Sequence, residues 1–223
     1  MPPPYCYDHP RPAVTVDLVV FAFVEGALRV LLIRRGRDPY AGQWAIPGGF
    51  LELTEEVEAG ARRELKEETG RSLRGQVDAI GSFGKVDRDP RGRTITLAFA
   101  GIARPDEHLI VGADDAEHAE WIKLDEDLSL AFDHDQILER AKDWLRRGLI
   151  ERRFGLEILP RSFSSGDVEA LFRPLGLSRG QAEAWTLEMV KSGQLRQIDG
   201  PPAQFELASD RPEALVPDQP EDA

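Results

Sequence analysis

The chain has 223 residues, a formal net charge of −12 and a pI near 4.9, which argues against general binding to nucleic acid or anionic membranes without a local basic patch. No apolar run is long enough to span a membrane, the first residues lack a basic-then-apolar signal, and the one cysteine, Cys6, permits no internal disulfide. We therefore expect a soluble, cytoplasmic protein with room for one domain and a second small module.

The first part of the chain predicts an arm and two long strands. Residues 1–12 are rich in proline, and we expect them to form an extended arm. β-Branched and aromatic residues then predict strands at 14–24 and 29–35. Trp44, in the segment that follows, could stack on a base, but a large aromatic beside a buried strand is more often part of the core.

A glycine-rich turn, a short acidic loop and a helix are predicted for residues 48–70, which read GGFLELTEEVEAGARRELKEETG. Taken singly, a glutamate on a surface helix usually belongs to a solvated face, and Arg63 with Glu67 could form an ordinary i,i+4 pair. Glu64, Glu67 and Glu68, however, lie within about a third of the helix circumference. Because three like charges repel one another there, the set favours a hard divalent cation such as Mg²⁺ or Mn²⁺.

The spacing of these residues resembles the Nudix box. In that pattern a glycine is followed after five residues by glutamate, and after seven more by Arg-Glu and an apolar residue. One further residue then precedes Glu-Glu, and another precedes a glycine and a final apolar residue. The matching positions here are Gly49, Glu55, Arg63-Glu64-Leu65, Glu67-Glu68 and Gly70. The last apolar place of the pattern departs, because it is occupied by Arg71.

The resemblance implies a fold, a reaction and a set of roles. It implies an α+β protein whose Nudix domain is an α/β/α sandwich with a mixed sheet, and metal-dependent hydrolysis of a pyrophosphate. The expected metal ligands are Glu64, Glu67 and Glu68 with the carbonyl of Gly49, and one of the glutamates could also act as the base. Arg63 and Glu55 are expected to orient the helix and the loop.

Beyond the helix, strands are predicted at 77–83, 93–102 and 121–124, with a polar loop, GKVDRDPRGR, before the second of them. Guanidinium groups match phosphate oxygens, so some arginines could bind substrate, although an ordinary solvated loop is an equally good interpretation. The candidates are Arg88, Arg91 and Arg93 in the loop and Arg34 at the end of the second strand. The resemblance also offers Asp115 or Glu117 as an extra metal ligand or base.

Residues 131–147 predict an amphipathic helix. His134 lies between Asp133 and Asp135, which could indicate a metal site. An aspartate before a helix is typical of an N-cap, however, and we favour capping. We place the Nudix domain at residues 13–148 and a linker at 149–160.

The remaining sequence predicts two capped helices, ending near Gly176 and Gly193, and a short hairpin. This order resembles a small winged helix-turn-helix domain, which we place at residues 161–209, and residues 210–223 predict a disordered acidic tail. A Nudix domain followed by such a module is similar to the Nudix-related transcriptional regulators of NAD metabolism, and that resemblance implies a homodimer.

The charges of this second module argue against DNA binding. Residues 161–210 contain five basic and seven acidic side chains. The helix expected to read DNA carries Arg179 and Lys191 but also Glu183, Glu188 and the bulky Trp185, and a DNA reader normally needs several phosphate contacts.

Three functional hypotheses remain. The first is a Mg²⁺-dependent Nudix hydrolase that cleaves a nucleoside diphosphate linked to another moiety; the resemblance favours ADP-ribose, with AMP and ribose 5-phosphate as products. The alternative is a DNA-binding regulator of NAD metabolism that senses ADP-ribose through its Nudix domain. A third, weaker hypothesis makes the second module a dimerisation or protein-contact element, although its apolar residues suit an ordinary core.

Overall fold

The structure is a computed structural model, and it describes residues 8–104, 119–151, 154–198 and 203–208. In these ranges seven strands form one mixed sheet. They are β1 (Ala13–Val24), β2 (Ala27–Arg34), β3 (Trp44–Ala45), β4 (Gly48–Phe50), β5 (Val77–Phe83), β6 (Thr94–Ile102) and β7 (Ala119–Lys123). No helix in the same ranges combines the length and the apolar composition needed to cross a bilayer.

The sheet is built around β1, the long apolar strand. The order is β3-β2-β1-β6-β5, with β4 also paired to β1 and β7 to β2. β1 runs parallel to β6 and antiparallel to β2 and β4. Its register with β6 begins at Ala13 opposite Thr94 and continues to Phe21 opposite Ile102.

One helix covers each face of this sheet. Helix α1 (Val57–Thr69) buries Ala61 and Leu65 against Val16, Leu18 and Val20 of β1. It ends at Gly70, whose left-handed φ of 65° lets its N–H reach the carbonyl of Lys66. On the other face lies α2 (His134–Ile150), which buries a stripe of apolar residues at helical spacing: Ile137, Leu138, Ala141, Leu145 and Leu149. The predicted α/β/α sandwich with a mixed sheet is confirmed.

The second module has the order strand, helix, helix and hairpin, as the winged helix-turn-helix prediction requires. It comprises β8 (Ser162–Ser164), α3 (Ser165–Phe172), α4 (Arg179–Lys191), β9 (Leu195–Ile198) and β10 (Gln204–Leu207). Short 3-10 turns precede β8 and follow α3, at Leu156–Ile158 and Arg173–Leu175. Both α3 and α4 begin with a capping box, formed by Ser164 with Asp167 and by Ser178 with Gln181.

The two parts of the chain share one apolar core. Residues of the sheet, of α2 and of the second module belong to a single buried cluster, and α3 contacts β2. Within the predicted linker, Ile158 and Leu159 have no exposed surface. This segment is therefore packed into the core along part of its length, and the division of the chain into domains stays a prediction.

Candidate active site

A cleft of about 330 Å³ lies where the end of β2, β4, α1, the loop at residues 84–93 and the start of α2 come together. Its lining carries both signs of charge. The carboxylates are Asp17, Glu64, Glu68 and Asp89, and the guanidinium groups are Arg35, Arg88 and Arg91. Such a lining suits an anionic ligand that binds together with a cation.

Helix α1 presents its three predicted metal ligands differently. Glu64 and Glu68 line the cleft, whereas the side chain of Glu67 is 59% exposed and lies outside the lining. Gly48 donates its backbone N–H to Glu68 Oε2 over 2.9 Å, which joins β4 to the helix. The structure therefore brings two of the three glutamates together at the cleft.

Arg63 is the hub of this region. It donates to both carboxylate oxygens of Glu55, at 2.7 and 3.0 Å, and to the carbonyl of Phe50 at 3.2 Å. Its Nη1 also donates to Glu64 at 2.8 Å and to Glu67 at 3.1 Å. The hydrogen bonds from Arg63 hold the pKa of Glu55 at about 2. These contacts are those expected of residues that orient the helix and the acidic loop.

Glycines 48 and 49 allow the strand to approach the helix closely. A Cβ atom on Gly49 would lie 2.4 Å from Glu64 Oε1, and one on Gly48 would lie 2.3 Å from the carbonyl oxygen of Val16. Both distances are far below a normal contact, so neither position accepts a side chain without movement. At Gly48 the obstructing atom belongs to the backbone, whereas at Gly49 it is the end of the Glu64 side chain, which can move.

The two helix glutamates at the cleft, Glu64 and Glu68, lie in an environment that disfavours their charged forms. Burial raises the pKa of Glu68 to about 7, opposed by its hydrogen bond from Gly48. Burial also raises the pKa of Glu64, and Arg63 opposes that shift. A cation would stabilise both charged forms, so Glu64, Glu68 and the nearby carbonyl of Gly49 fit a hard divalent metal.

The present side-chain positions do not gather a complete ligand set. Among the described residues, no three Asp, Glu, His or Cys side chains are close enough to hold a metal. The guanidinium of Arg63 donates to oxygens of both Glu64 and Glu67 in this arrangement. The expectation that Glu67 is a ligand stays a prediction.

A buried polar network lies at the floor of the cleft. Arg88, a candidate for substrate binding, has only 4% of its side chain exposed and forms a forked ion pair with Asp133, with Nη2 2.7 Å from Oδ1. Asp133 precedes α2 but its side chain makes no capping hydrogen bond, so the capping prediction for it is wrong. The demand of the buried guanidinium for a charged partner explains the difference.

His134 belongs to the same network as a neutral ring. Its Nδ1 accepts a hydrogen bond from the N–H of Ile46 at 3.0 Å, which leaves the proton on Nε2, 3.7 Å from Asp17 Oδ1. Burial lowers the pKa of His134. Asp17 in turn accepts from the hydroxyl of Thr96 at 2.5 Å. These contacts connect α2 to β1 and β6 at the floor of the cleft.

The other predicted substrate-binding arginines lie in different places. Arg91 lines the cleft and is paired with Asp89, Nη2 to Oδ2 at 2.7 Å. Arg93 donates to carbonyls of its own loop, and Arg34 lies over the ring of Trp44 and donates to Gly42; neither lines the cleft. Asp115 and Glu117 lie outside the described residues.

The profile of the NUDIX domain matches residues 11–145, and these residues contain the sheet, α1, most of α2 and the cleft. The chain belongs to the Nudix family. The family predicted from the Nudix box is therefore confirmed.

Relatives of this Nudix protein differ in activity. It is 40% identical over 137 residues to the ADP-ribose pyrophosphatase of Methanocaldococcus jannaschii, which covers 61% of this chain and 75% of that protein. It is 29% identical over 212 residues to the ADPR responsive transcriptional repressor NtrR of Acinetobacter baylyi, 93% of this chain and 82% of the repressor. The crystal structure of Shewanella oneidensis NrtR superposes with a TM-score of 0.68 at 25% identity, over 88% of this chain and 94% of that one.

Several cleft residues of this Nudix domain escaped the sequence prediction, among them Asp17, Arg35 and Phe132. Asp17 was visible as one charge in an otherwise apolar strand. Arg35 could have been found by strand alternation, because it shares the inward face with Ile33 whereas Arg34 does not. Phe132 lies two residues before His134, which lines the same cleft, but its contacts with Arg35 and Tyr40 come from distant parts of the chain.

Proposed function

We propose that the protein is a Mg²⁺-dependent hydrolase that cleaves the diphosphate of ADP-ribose to AMP and ribose 5-phosphate. The main support for this proposal is that Glu64 and Glu68 of the Nudix box, both with raised pKa values, line the same cleft as three guanidinium groups. The likeness to the archaeal ADP-ribose pyrophosphatase supports the choice of substrate.

Different residues of the cleft would have different roles in this reaction. Glu64, Glu68 and the carbonyl of Gly49 would hold the cation, which supplies neutralisation of the diphosphate charge and activation of the attacking water. Arg63 keeps Glu64 and Glu55 in fixed positions. Arg91 offers a donor group at the rim. Attack of water on one phosphorus breaks its bond to the bridging oxygen, and the water oxygen remains on one of the two phosphate products.

The test is hydrolysis of ADP-ribose, beside NADH and a diadenosine polyphosphate, with Mg²⁺ and with EDTA. We expect release of AMP from ADP-ribose only when the metal is present. Glu68→Gln is expected to lower turnover by about 100-fold or more, since it removes a charged ligand. Glu58→Gln is the matched control, because Glu58 lies on the exposed face of α1 and pairs with Arg62. Intact ADP-ribose after prolonged incubation with Mg²⁺ contradicts the proposal.

A second candidate function is supported by the likeness to the Acinetobacter repressor, which extends over both parts of the chain. In this alternative the protein is a homodimeric regulator that binds DNA and responds to ADP-ribose. A gel-shift assay with DNA from upstream of its own gene, with and without ADP-ribose, tests it. A shift at low salt that ADP-ribose changes supports the regulator, and no shift at low salt removes it.

The charges of the second module weigh against that alternative. Each of Arg173, Arg179, Lys191 and Arg196 has a carboxylate partner at 2.5 to 3.5 Å. A DNA phosphate would have to compete with these acids for every one of the four cations. This is why we place the hydrolase first.

A further inference from the structure

Arg35, which directly follows β2, differs from Arg88 and Arg91 in forming no ion pair among the described residues; the charges of Glu68 and Asp89 act on it only from beyond ion-pair distance. Its Nε donates to the carbonyl of Pro39 at 2.9 Å and its Nη2 lies 3.5 Å from the carbonyl of Arg37. Within the described ranges it forms no ion pair, and Nη1 has no hydrogen bond. The cleft therefore contains a half-buried guanidinium with free donor capacity.

The other two arginines of the cleft are already neutralised. Arg88 is bound by Asp133 and Arg91 by Asp89. Arg91 also lies near Arg35, and burial followed by the charge of Arg91 lowers the pKa of Arg35. A bound anion would remove both unfavourable effects, because it would replace lost hydration and separate two like charges.

Phe132 holds this guanidinium in place. The Cζ of Arg35 lies 4.7 Å from the centre of the Phe132 ring, and the Cζ of Arg91 lies 5.7 Å from it. Tyr40 packs edge-on against the same ring at 4.8 Å. The backbone of Phe132 is left-handed, with φ of 58°, a conformation that a bulky residue keeps only when its surroundings impose it. The ring is thus a fixed platform for Arg35.

Glu64 and Glu68 line the same cleft, and the charge of Glu68 acts on Arg35. A ligand that contacts both kinds of group must offer anionic oxygens to Arg35 and also accept a cation held by carboxylates. A diphosphate has both properties.

We infer that Arg35 binds a phosphate oxygen of a nucleoside diphosphate substrate, with Phe132 as the positioning residue for its guanidinium. The inference deepens the proposed hydrolase and rests on it for the choice of ligand. It assigns the phosphate contact to Arg35 in place of its neighbour Arg34, which lies outside the cleft.

The test is calorimetric binding of ADP-ribose and of AMP to the full chain in EDTA, where no hydrolysis occurs. Arg35→Gln is expected to raise the Kd of both ligands by about tenfold or more, the usual loss for a charge-assisted hydrogen bond. Arg35→Lys should recover part of the affinity, because it keeps the charge but loses the fork. Lys66→Gln, an exposed change of the same charge on α1, controls for the net charge of the protein.

Arg34→Gln separates the two neighbouring arginines. A Kd within about twofold of wild type for Arg34→Gln, beside a large loss for Arg35→Gln, supports the inference. Wild-type affinity in Arg35→Gln overturns it, and so does equal loss in both variants or an absence of metal-free binding by the wild type. If ADP-ribose binds through Arg35 but is never hydrolysed with Mg²⁺, the inference stands and the proposed hydrolase falls.

The role of Phe132 is tested by a double-mutant cycle with Phe132→Leu. If the ring acts through Arg35, Phe132→Leu weakens ADP-ribose binding severalfold in the wild type but has no further effect in Arg35→Gln. A purely structural effect would be the same in both backgrounds, and that result rejects the positioning role.

Discussion

Glu68 binds its proton more tightly in the folded protein than in the unfolded chain, because burial raises its pKa from 4.5 to about 7. In EDTA the folded state therefore loses stability relative to the unfolded state as the pH rises through this interval. The variant Glu68→Gln has no carboxyl group to titrate at this position. Relative to it, the wild type should lose at most about 3 kcal/mol of unfolding free energy as the pH rises from 4.5 to 7.5. Urea unfolding at several pH values measures this, and parallel pH profiles for the two proteins contradict it.

Addition of Mg²⁺ should reverse that loss, because the cation stabilises the ionised carboxylate. The gain in unfolding free energy is expected to be larger above pH 7 than below it, since the metal competes with the proton for Glu68. A pH-independent gain would show that the metal binds elsewhere.

Gly49 leaves room for one conformation of Glu64. In Gly49→Ala the new methyl group would occupy the position of the Glu64 carboxylate, which is the flexible end of a side chain and can move away. We expect a change in stability within about 1 kcal/mol but a fall in turnover of about 100-fold, because a catalytic group is displaced by roughly an ångström or more. Gly180→Ala in α4 is the control, since no atom lies within 4 Å of the place that its new methyl group would take.

Sequence reasoning could place together the residues whose relative positions follow from local spacing, and their roles stay predictions. The box residues of α1 are neighbours in the chain, and a helix fixes their relative positions. Asp17 with Thr96 and Arg88 with Asp133 are pairs made across 79 and 45 positions, so only the folded sheet brings them together. Arg88 lines the cleft and is also held in a buried ion pair, which its sequence neighbours do not reveal, and its contact with a substrate stays a prediction.

At the level of the elements, the loop at residues 84–93 is attached to α2 by the ion pair of Arg88 with Asp133. Arg88→Ala would leave a buried aspartate without its cation, and we expect it to cost about 3–5 kcal/mol of unfolding free energy. Lys85→Ala, on the same loop with 69% of its side chain exposed, should change stability by less than about 0.5 kcal/mol. Equal urea midpoints for the two variants would contradict the structural role of Arg88.

The long elements were predictable, because β1, β2 and β6 are rich in β-branched, aromatic and other apolar residues and α1 and α2 carry apolar residues at helical spacing. The short strands β3, β4 and β8 were not predicted, since two or three residues are too few for a pattern and exist only through pairing. Helix α2 was expected from residue 131 but begins at His134, because the left-handed backbone of Phe132, with φ of 58°, cannot belong to a right-handed helix.

On the scale of the whole molecule, the second module and the sheet bury one common apolar cluster. We therefore expect the full chain to unfold in a single transition, in calorimetry and in circular dichroism alike. A chain ending at Glu151 should expose apolar surface of β2 and α2 and melt at a lower temperature or aggregate. Two separate transitions of the full chain, or an unchanged melting temperature after truncation, would contradict a shared core.

The contact between α3 and β2 also limits how this chain can change over evolutionary time. Leu28, Val30 and Leu32 of β2 all belong to the common cluster. A descendant without the last seventy residues would expose these apolar side chains of β2 to water. It would need polar substitutions there to stay soluble. The C-terminal module therefore constrains which residues β2 can carry at positions 28, 30 and 32.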